Sequence, residues 1–394
     1  MILKKIVLKN FRNYNRQEFF FNDKFNFIFG NNGHGKTNIL EAVSYTTFGK
    51  SFLGSAEADC IKLGENEFFI ESEFENDLGN KDHIIVNYNS NTKTKSIHKN
   101  KEKVSAFSSE IFGRYPLVFL SPKSLQITYG NPSDRRKFFD ILISQASMLY
   151  LDYLKDLAKI LKQKNALLRN YLLYKKYSFG ELKNLLNSYN EKLIDVSSHI
   201  IFKRLNFLLE FESFFEKNFS NLLVQNHTAS ISYYSDILGE IEPGNKLEPD
   251  YIKSKTEEFI YGRFDEEINR AITLAGPQRD DYIFKIHKNE LEDSKTFELK
   301  SFASQGEHKT FLVALKLSEY DYLKDKKSTS PVLLLDDVLS ELDEDRVSKI
   351  ISHLKDYGQI FLTTTDENYI DNLKDFYSEK EISSFRIELG KVIE

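Results

Sequence analysis

Apolar and polar positions alternate at the start of the chain, through MILKKIVLKNF, and again in Phe25-Asn26-Phe27-Ile28-Phe29. A period of two is that of a strand. Residues 2–22 therefore read as two antiparallel strands around the Asn-rich turn Asn10 to Asn15. Further strand-like runs, Glu67 to Glu75, His83 to Tyr88 and Lys93 to His98, are separated by breaks such as Asn89-Ser90-Asn91. They suggest an antiparallel layer beside a main sheet. Pro116 to Leu120 reads as a buried strand ending at Ser121-Pro122.

From Ser133 the period becomes helical, with Ser133 and Asp134 offered as the cap. Tyr150, Leu154, Leu157, Leu161, Leu168 and Tyr171 keep a spacing of three or four that Lys164 interrupts, and Leu182 to Phe211 repeats the pattern after a break near Gly180. This predicts an antiparallel helical hairpin. Helices of roughly thirty residues would be about 45 Å long, a lobe and not a coiled-coil rod. Glu248 to Leu274 adds one or two helices, and Gly276-Pro277 then turns the chain back toward the main sheet. No internal repeat interrupts the pattern.

Length and composition narrow the class. A chain of 394 residues, 41% hydrophobic and 29% charged, is soluble and globular with two to three domains. Its apolar runs are too short to span a bilayer, and the N-terminus lacks the features of a signal peptide. A single cysteine, Cys60, excludes an intramolecular disulfide and a cysteine metal cluster. A cytoplasmic protein is expected. The net charge of −5 means that nucleic acid would have to be met by a local basic patch. The 33 Phe and 21 Tyr are read as the codon bias of an AT-rich genome before a row of base-stacking rings.

Between the Phe25 to Phe29 strand and the helical run Ile39, Leu40, Val43 lies Gly30-Asn31-Asn32-Gly33-His34-Gly35-Lys36-Thr37. This is G-x-x-x-x-G-K-[ST] in its required strand and helix context. The glycines let successive N–H groups converge on a phosphate, and the helix start adds its positive dipole end. Lys36 reaches the β- and γ-phosphates, and the Thr37 hydroxyl can ligate Mg²⁺. Far downstream, the apolar run Val332 to Leu335 closes in Asp336-Asp337, as a doubly covered parallel strand carrying a metal aspartate should. Asp336 would serve the metal, and Asp337 would be the general base. Arg12, in the first turn, could stack on an adenine or be an exposed turn arginine. Arg135, Arg136 and Lys137, near a helix start, fit a phosphate-bearing partner or a solvated patch equally. Ser304-Gln305-Gly306-Glu307 opens another helix and, taken alone, is an ordinary cap.

Together LKNFRNY (8–14), GNNGHGKTN (30–38), SPKSLQITYGNPSDRRKFFD (121–140), GPQRDD (276–281), SQGEHKT (304–310) and LLLDDVLSELD (333–343) resemble the RecF family of bacterial recombination mediators. These are α/β ABC-type ATPase heads of the Rad50/SMC class, with a mixed sheet, an antiparallel β layer and an inserted compact helical lobe. The motifs stand in family order from the first strand to near the C-terminus. The resemblance implies a discontinuous head, 1–125 and 276–394, and a lobe, 126–275. It implies an ATP- and Mg²⁺-dependent homodimer with the nucleotide held by Arg12 and residues 30–38, Asn38 included. Ser304, Gln305, Gly306 and Glu307 would act in trans on the other subunit's ATP, with Ser304 joining Lys36, Asp336 and Asp337 in catalysis. Ser340, Glu341, Leu342 and Asp343 would form the D-loop.

The implied activity is a weak, DNA-stimulated ATPase that binds DNA near single-strand gaps and promotes RecA loading with RecO and RecR. Arg135, Arg136 and Lys137, or Lys93 to Lys103, would supply phosphate contacts. Two departures from the wider ABC pattern argue for slow hydrolysis: Asp337 stands where Glu is usual, and Thr365 where a switch histidine is usual. A rodless SMC-like scaffold and a transport-coupled ATPase are the alternatives.

Overall fold

In the computed structural model, residues 1–174, 177–222, 227–290, 293–338 and 344–393 are described. The chain forms two units, residues 1–125 with 312–394, and residues 126–311.

The first unit begins with β1 (Ile2–Phe11), β2 (Tyr14–Phe20) and β3 (Phe25–Phe29), followed by the helix Lys36–Phe48. Then come β4 (Glu67–Glu75), β5 (Lys81–Asn89), β6 (Thr94–Lys99), β7 (Glu102–Lys103) and β8 (Leu117–Leu120). An antiparallel sheet takes six of these in the order β2-β1-β4-β5-β6-β7. The Lys36–Phe48 helix packs against this layer and against the main sheet as well, so every residue but Thr37 and Asn38 is buried. A helix covered on all sides needs no polar face, and its one carboxylate, Glu41, requires a partner.

The second unit is built on the helices Pro132–Ala146, Met148–Tyr174, Phe179–Leu222, Pro249–Gly262 and Phe264–Arg270. The first is capped at Asn131 and not at Ser133 or Asp134. Pro132, which has no N–H to satisfy, takes the first helical position, and Asp134 reaches back to the Asn131 N–H at 2.9 Å. The hairpin's second helix has 44 residues, about 66 Å, and is longer than the apolar spacing alone suggested. Lys164 interrupts that spacing because it is a buried cation: its Nζ lies 2.6 Å from Glu267, with both side chains excluded from water.

The same unit carries a sheet of β9 (His227–Ser235), β10 (Gly239–Ile241), β11 (Asp281–Glu290) and β12 (Asp293–Glu298), ordered β10-β9-β11-β12. The Gly276-Pro277 turn thus leads into this sheet, and the structural division falls after Phe311, where the sequence analysis placed it after residue 275. A buried hub holds the turn. Arg204 of the long helix donates to Asp140 at 2.9 Å, to the Tyr150 hydroxyl at 2.9 Å and to the Pro277 carbonyl at 2.8 Å. It also meets Asp280 at 3.3 Å. Burial pushes the Asp280 carboxyl up to about 6.

After the helix Gln305–Lys327 the chain adds β13 (Val332–Asp336), the helix Glu344–Leu354, β14 (Ile360–Thr364), β15 (Ile382–Glu388) and β16 (Lys391–Val392). The main sheet of the first unit runs β16-β15-β3-β14-β13-β8, parallel from β15 to β8. In this register Asp336 pairs with Thr363, and Phe29, the last residue before the glycine loop, pairs with Thr364. The two ends that carry chemistry are therefore one strand apart. No described helix is long and apolar enough to cross a membrane.

Candidate nucleotide site

The glycine loop is fixed from behind. The Asn13 amide donates to the His34 carbonyl at 2.8 Å, the Gly390 N–H reaches that carbonyl at 3.0 Å, and the buried Tyr14 hydroxyl donates to the Gly35 carbonyl at 3.0 Å. Asn38 donates back to Asn13 at 2.9 Å. Two positions demand glycine. Gly30 has φ 145° with the Ile387 carbonyl oxygen crowding the place where a Cβ would stand, and Gly35 has φ 112° with the Asn13 side chain 2.6 Å from its own. Asn31, Asn32 and Gly33 at the loop's crest are exposed, and His34 rests beside the Ile387 carbonyl at 3.3 Å.

The helix that follows starts from left-handed Gly35 with no side-chain cap and no acidic residue in its first turn. Its orphan N–H groups are left for a ligand. Lys36, 6% exposed, lies across the loop, donating to the Gly30 and Asn31 carbonyls at 2.7 and 3.0 Å. Burial lowers its pKa, opposed by the nearby Asp337 and Asp336 carboxylates. A desolvated ammonium held by neutral carbonyls gains most when an anion arrives.

Thr37 donates to Asp336 at 2.7 Å, and the buried Thr363 hydroxyl donates to the same oxygen at 2.7 Å. Burial raises the Asp336 carboxyl above the ordinary aspartate value, with both hydroxyl bonds working against it. Among the described residues no cluster of three or more His, Cys, Asp or Glu could hold a metal. One hydroxyl facing one carboxylate fits Mg²⁺, which takes its remaining ligands from phosphates and water. Asp337 is half-buried at φ 51°, and its N–H donates to the carbonyl and hydroxyl of Thr363, both at 3.1 Å.

Arg12 forks onto Glu41, Nε to Oε2 and Nη2 to Oε1 both at 2.7 Å, and also donates to Ser55 and the Asp59 carbonyl. The Glu41 hydrogen bond holds its pKa up despite burial. Its side chain is 21% exposed while Glu41 is wholly buried.

Ser304 and Gln305 are exposed at the start of the helix Gln305–Lys327, with Gly306 and Glu307 partly covered, in the 126–311 unit. Thr365 is exposed just past β14. Ser340 to Asp343 lie outside the described residues. Arg135 is turned inward, bidentate to Asp281 at 2.8 and 2.7 Å. Arg136 donates to the Asp280 carbonyl, while Lys137 is exposed. Asn13, Tyr14, Glu41 and Thr363 are additions that the sequence reading did not make. Only Glu41, a lone carboxylate on an otherwise buried helix, left a signal there.

Residues 2–383 match the family model described as RecF/RecN/SMC N terminal domain. The DNA replication and repair protein RecF of Chloroherpeton thalassium is 34% identical over 97% of this chain and 98% of its own length. That of Thermoanaerobacter pseudethanolicus is 33% identical over 94% and 96%. The chain belongs to the RecF family. A solved structure described as recombination mediator protein RecF-ATP in the RecFOR pathway superimposes with a TM-score of 0.83 at 30% identity, covering 99% of this chain and 98% of that one. An Smc head domain derived from Pyrococcus furiosus, at 16% identity and a TM-score of 0.55, shares the ABC-type fold. The family role in DNA replication and repair and the ATPase architecture therefore apply here.

Proposed function

We propose that this RecF-family chain is an ATP-dependent dimerising switch on DNA. The observation that carries the reading is the prepared anion site: an uncapped helix start, a desolvated Lys36 and the Thr37–Asp336 pair. MgATP would seat its β- and γ-phosphates there, the metal neutralising their charge between Thr37 and Asp336. Arg12 keeps its guanidinium plane fixed through Glu41, and stacking on an adenine uses the face and not the bonded edge. The Ser304 turn of a second copy would complete the site over the γ-phosphate, so a two-fold dimer would bury two nucleotides.

Asp337 would take the proton of the attacking water. Its side chain is one methylene shorter than glutamate, and Thr365 supplies no imidazole, so hydrolysis is slow and acts as the release step. DNA at single-strand gaps is the substrate surface, met by exposed Lys137 and by Lys93, Lys101 and Lys103, with RecO and RecR as partners in loading RecA. Arg135 is left out because Asp281 already holds it.

Fluorescence anisotropy of a gapped duplex tests this. ATP should tighten binding relative to ADP or no nucleotide, and affinity should fall with salt at about −0.9 per phosphate contact on log–log axes. Equal binding in all three nucleotide states, or a flat salt dependence, would contradict the reading.

A further inference from the structure

The turn Ser304 to Glu307 carries a charge that its expected role makes awkward. Glu307 lies three residues past Ser304, and its carboxylate accepts the Ser304 N–H at 2.7 Å. In return the Glu307 N–H donates to the Ser304 hydroxyl oxygen at 3.3 Å. This reciprocal cap uses the hydroxyl as an acceptor, so its own hydrogen remains to be donated. The cap therefore leaves the hydroxyl hydrogen to be given to another acceptor, as a serine meeting a phosphate requires. It also places a carboxylate, a repulsive charge for that phosphate, one helical turn from the contact.

Lys288 of β11 answers that charge, with its Nζ 3.0 Å from the Glu307 carboxylate oxygen that the cap does not use. Burial works against the ionised Glu307, but the Ser304 N–H and Lys288 overcome it and hold the carboxyl below the ordinary glutamate range. Glu307 is thus an anion at neutral pH. Lys288 stands nineteen residues from Glu307 in sequence, and the hairpin of β11 and β12 brings it there.

We infer that Lys288 is a positioning residue for the trans nucleotide contact: it neutralises Glu307, so that the capped Ser304 can approach the γ-phosphate on a second copy of this chain. The inference rests on the trans-dimer reading above. It does not require Lys288 to touch nucleotide.

The test is a charge-compensation cycle read by light scattering with ATP, using wild type, Lys288→Met, Glu307→Gln and the double variant. The amide introduced by Glu307→Gln could still accept the Ser304 N–H while carrying no charge. Lys288→Met should weaken ATP-dependent dimerisation about tenfold, and the double variant should return to within about threefold of wild type. Fluorescent-nucleotide binding by the monomer checks that each variant folds. A Lys288→Met protein that dimerises like wild type, or a double variant as weak as the single, would overturn the inference alone. A wild-type chain that stays monomeric with ATP would overturn the trans reading and this inference with it.

Discussion

The helix Lys36–Phe48 starts from a left-handed glycine, with no side-chain cap and no acid in its first turn, whereas Gln305–Lys327 starts from Ser304 with Glu307 closing a reciprocal cap. Both starts belong to motifs expected to meet phosphate. At the first, the orphan N–H groups and a buried cation make the ligand itself the missing cap. At the second, the cap is already filled, and what remains is one hydroxyl with a hydrogen to donate. An open start supplies affinity for the nucleotide. In the proposed dimer, a filled start recognises a nucleotide that another loop has already bound.

The largest effect should come from removing what holds the open start in place. Arg12→Ala leaves the wholly buried Glu41 without its cation, and an unpaired buried charge costs about 3–5 kcal/mol. Thermal unfolding should show a large loss of stability even without nucleotide. If Arg12 is instead a dispensable turn residue, the melting temperature will barely move.

Lys36→Met should separate affinity from stability. It removes the lysine of the loop, whose bonds to phosphate are worth about 1.5–3 kcal/mol, so nucleotide affinity should drop about tenfold to a hundredfold. Because Lys36 is desolvated and held by carbonyls, the nucleotide-free protein should be no less stable. Equal affinity in a fluorescence titration would mean that the anion site lies elsewhere.

Glu307→Ala should do the reverse at a smaller scale. Loss of the cap costs about 1 kcal/mol of local helix stability, visible as faster amide exchange at Ser304 and along the first turn, while nucleotide binding by the monomer is unaffected. Weakened binding in the monomer would place Glu307 in the wrong site.

Acid should set the two starts apart most finely, because their carboxylates shift in opposite directions. Asp336 is raised, so its burial costs stability as pH rises through its folded value, and that cost disappears below the ordinary aspartate value. Without nucleotide, Asp336→Asn should therefore melt higher than wild type at neutral pH and lose the advantage in acid. Glu307 is lowered, so its contribution is present above the ordinary glutamate value and is lost as pH falls through its folded value. The penalty of Glu307→Gln should vanish there. Melting curves of both variants from neutral to acid pH would show either convergence or its absence.

The open start was legible because its constraints are local: alternation before residue 30, glycines and Lys36 within eight positions, helical spacing after. Asp336 was legible for the same reason, as the end of a continuous apolar strand. What supports them was not. Asn13 and Tyr14 reach the loop from the preceding hairpin, and Thr363 reaches Asp336 across a strand ladder 27 residues away. Arg135 read as one of three surface cations because its partner, Asp281, is 146 residues distant. The sheet of the second unit escaped for a related reason: β11 takes its place by pairing with β9, some fifty residues earlier, and a single strand's pattern does not name its neighbour. Lys164 looked like an interruption until Glu267 appeared beside it.

The central claim, that neither copy holds a complete site, is tested most directly by mixing two dead proteins. Lys36→Met retains its Ser304 turn, and Ser304→Arg retains its glycine loop, so each alone should remain monomeric with ATP. Light scattering of their equimolar mixture with ATP should show a dimer, weaker than that of wild type because only one of its two sites is intact. A mixture that stays monomeric while wild type dimerises, or a Ser304→Arg protein that dimerises alone, would contradict the account.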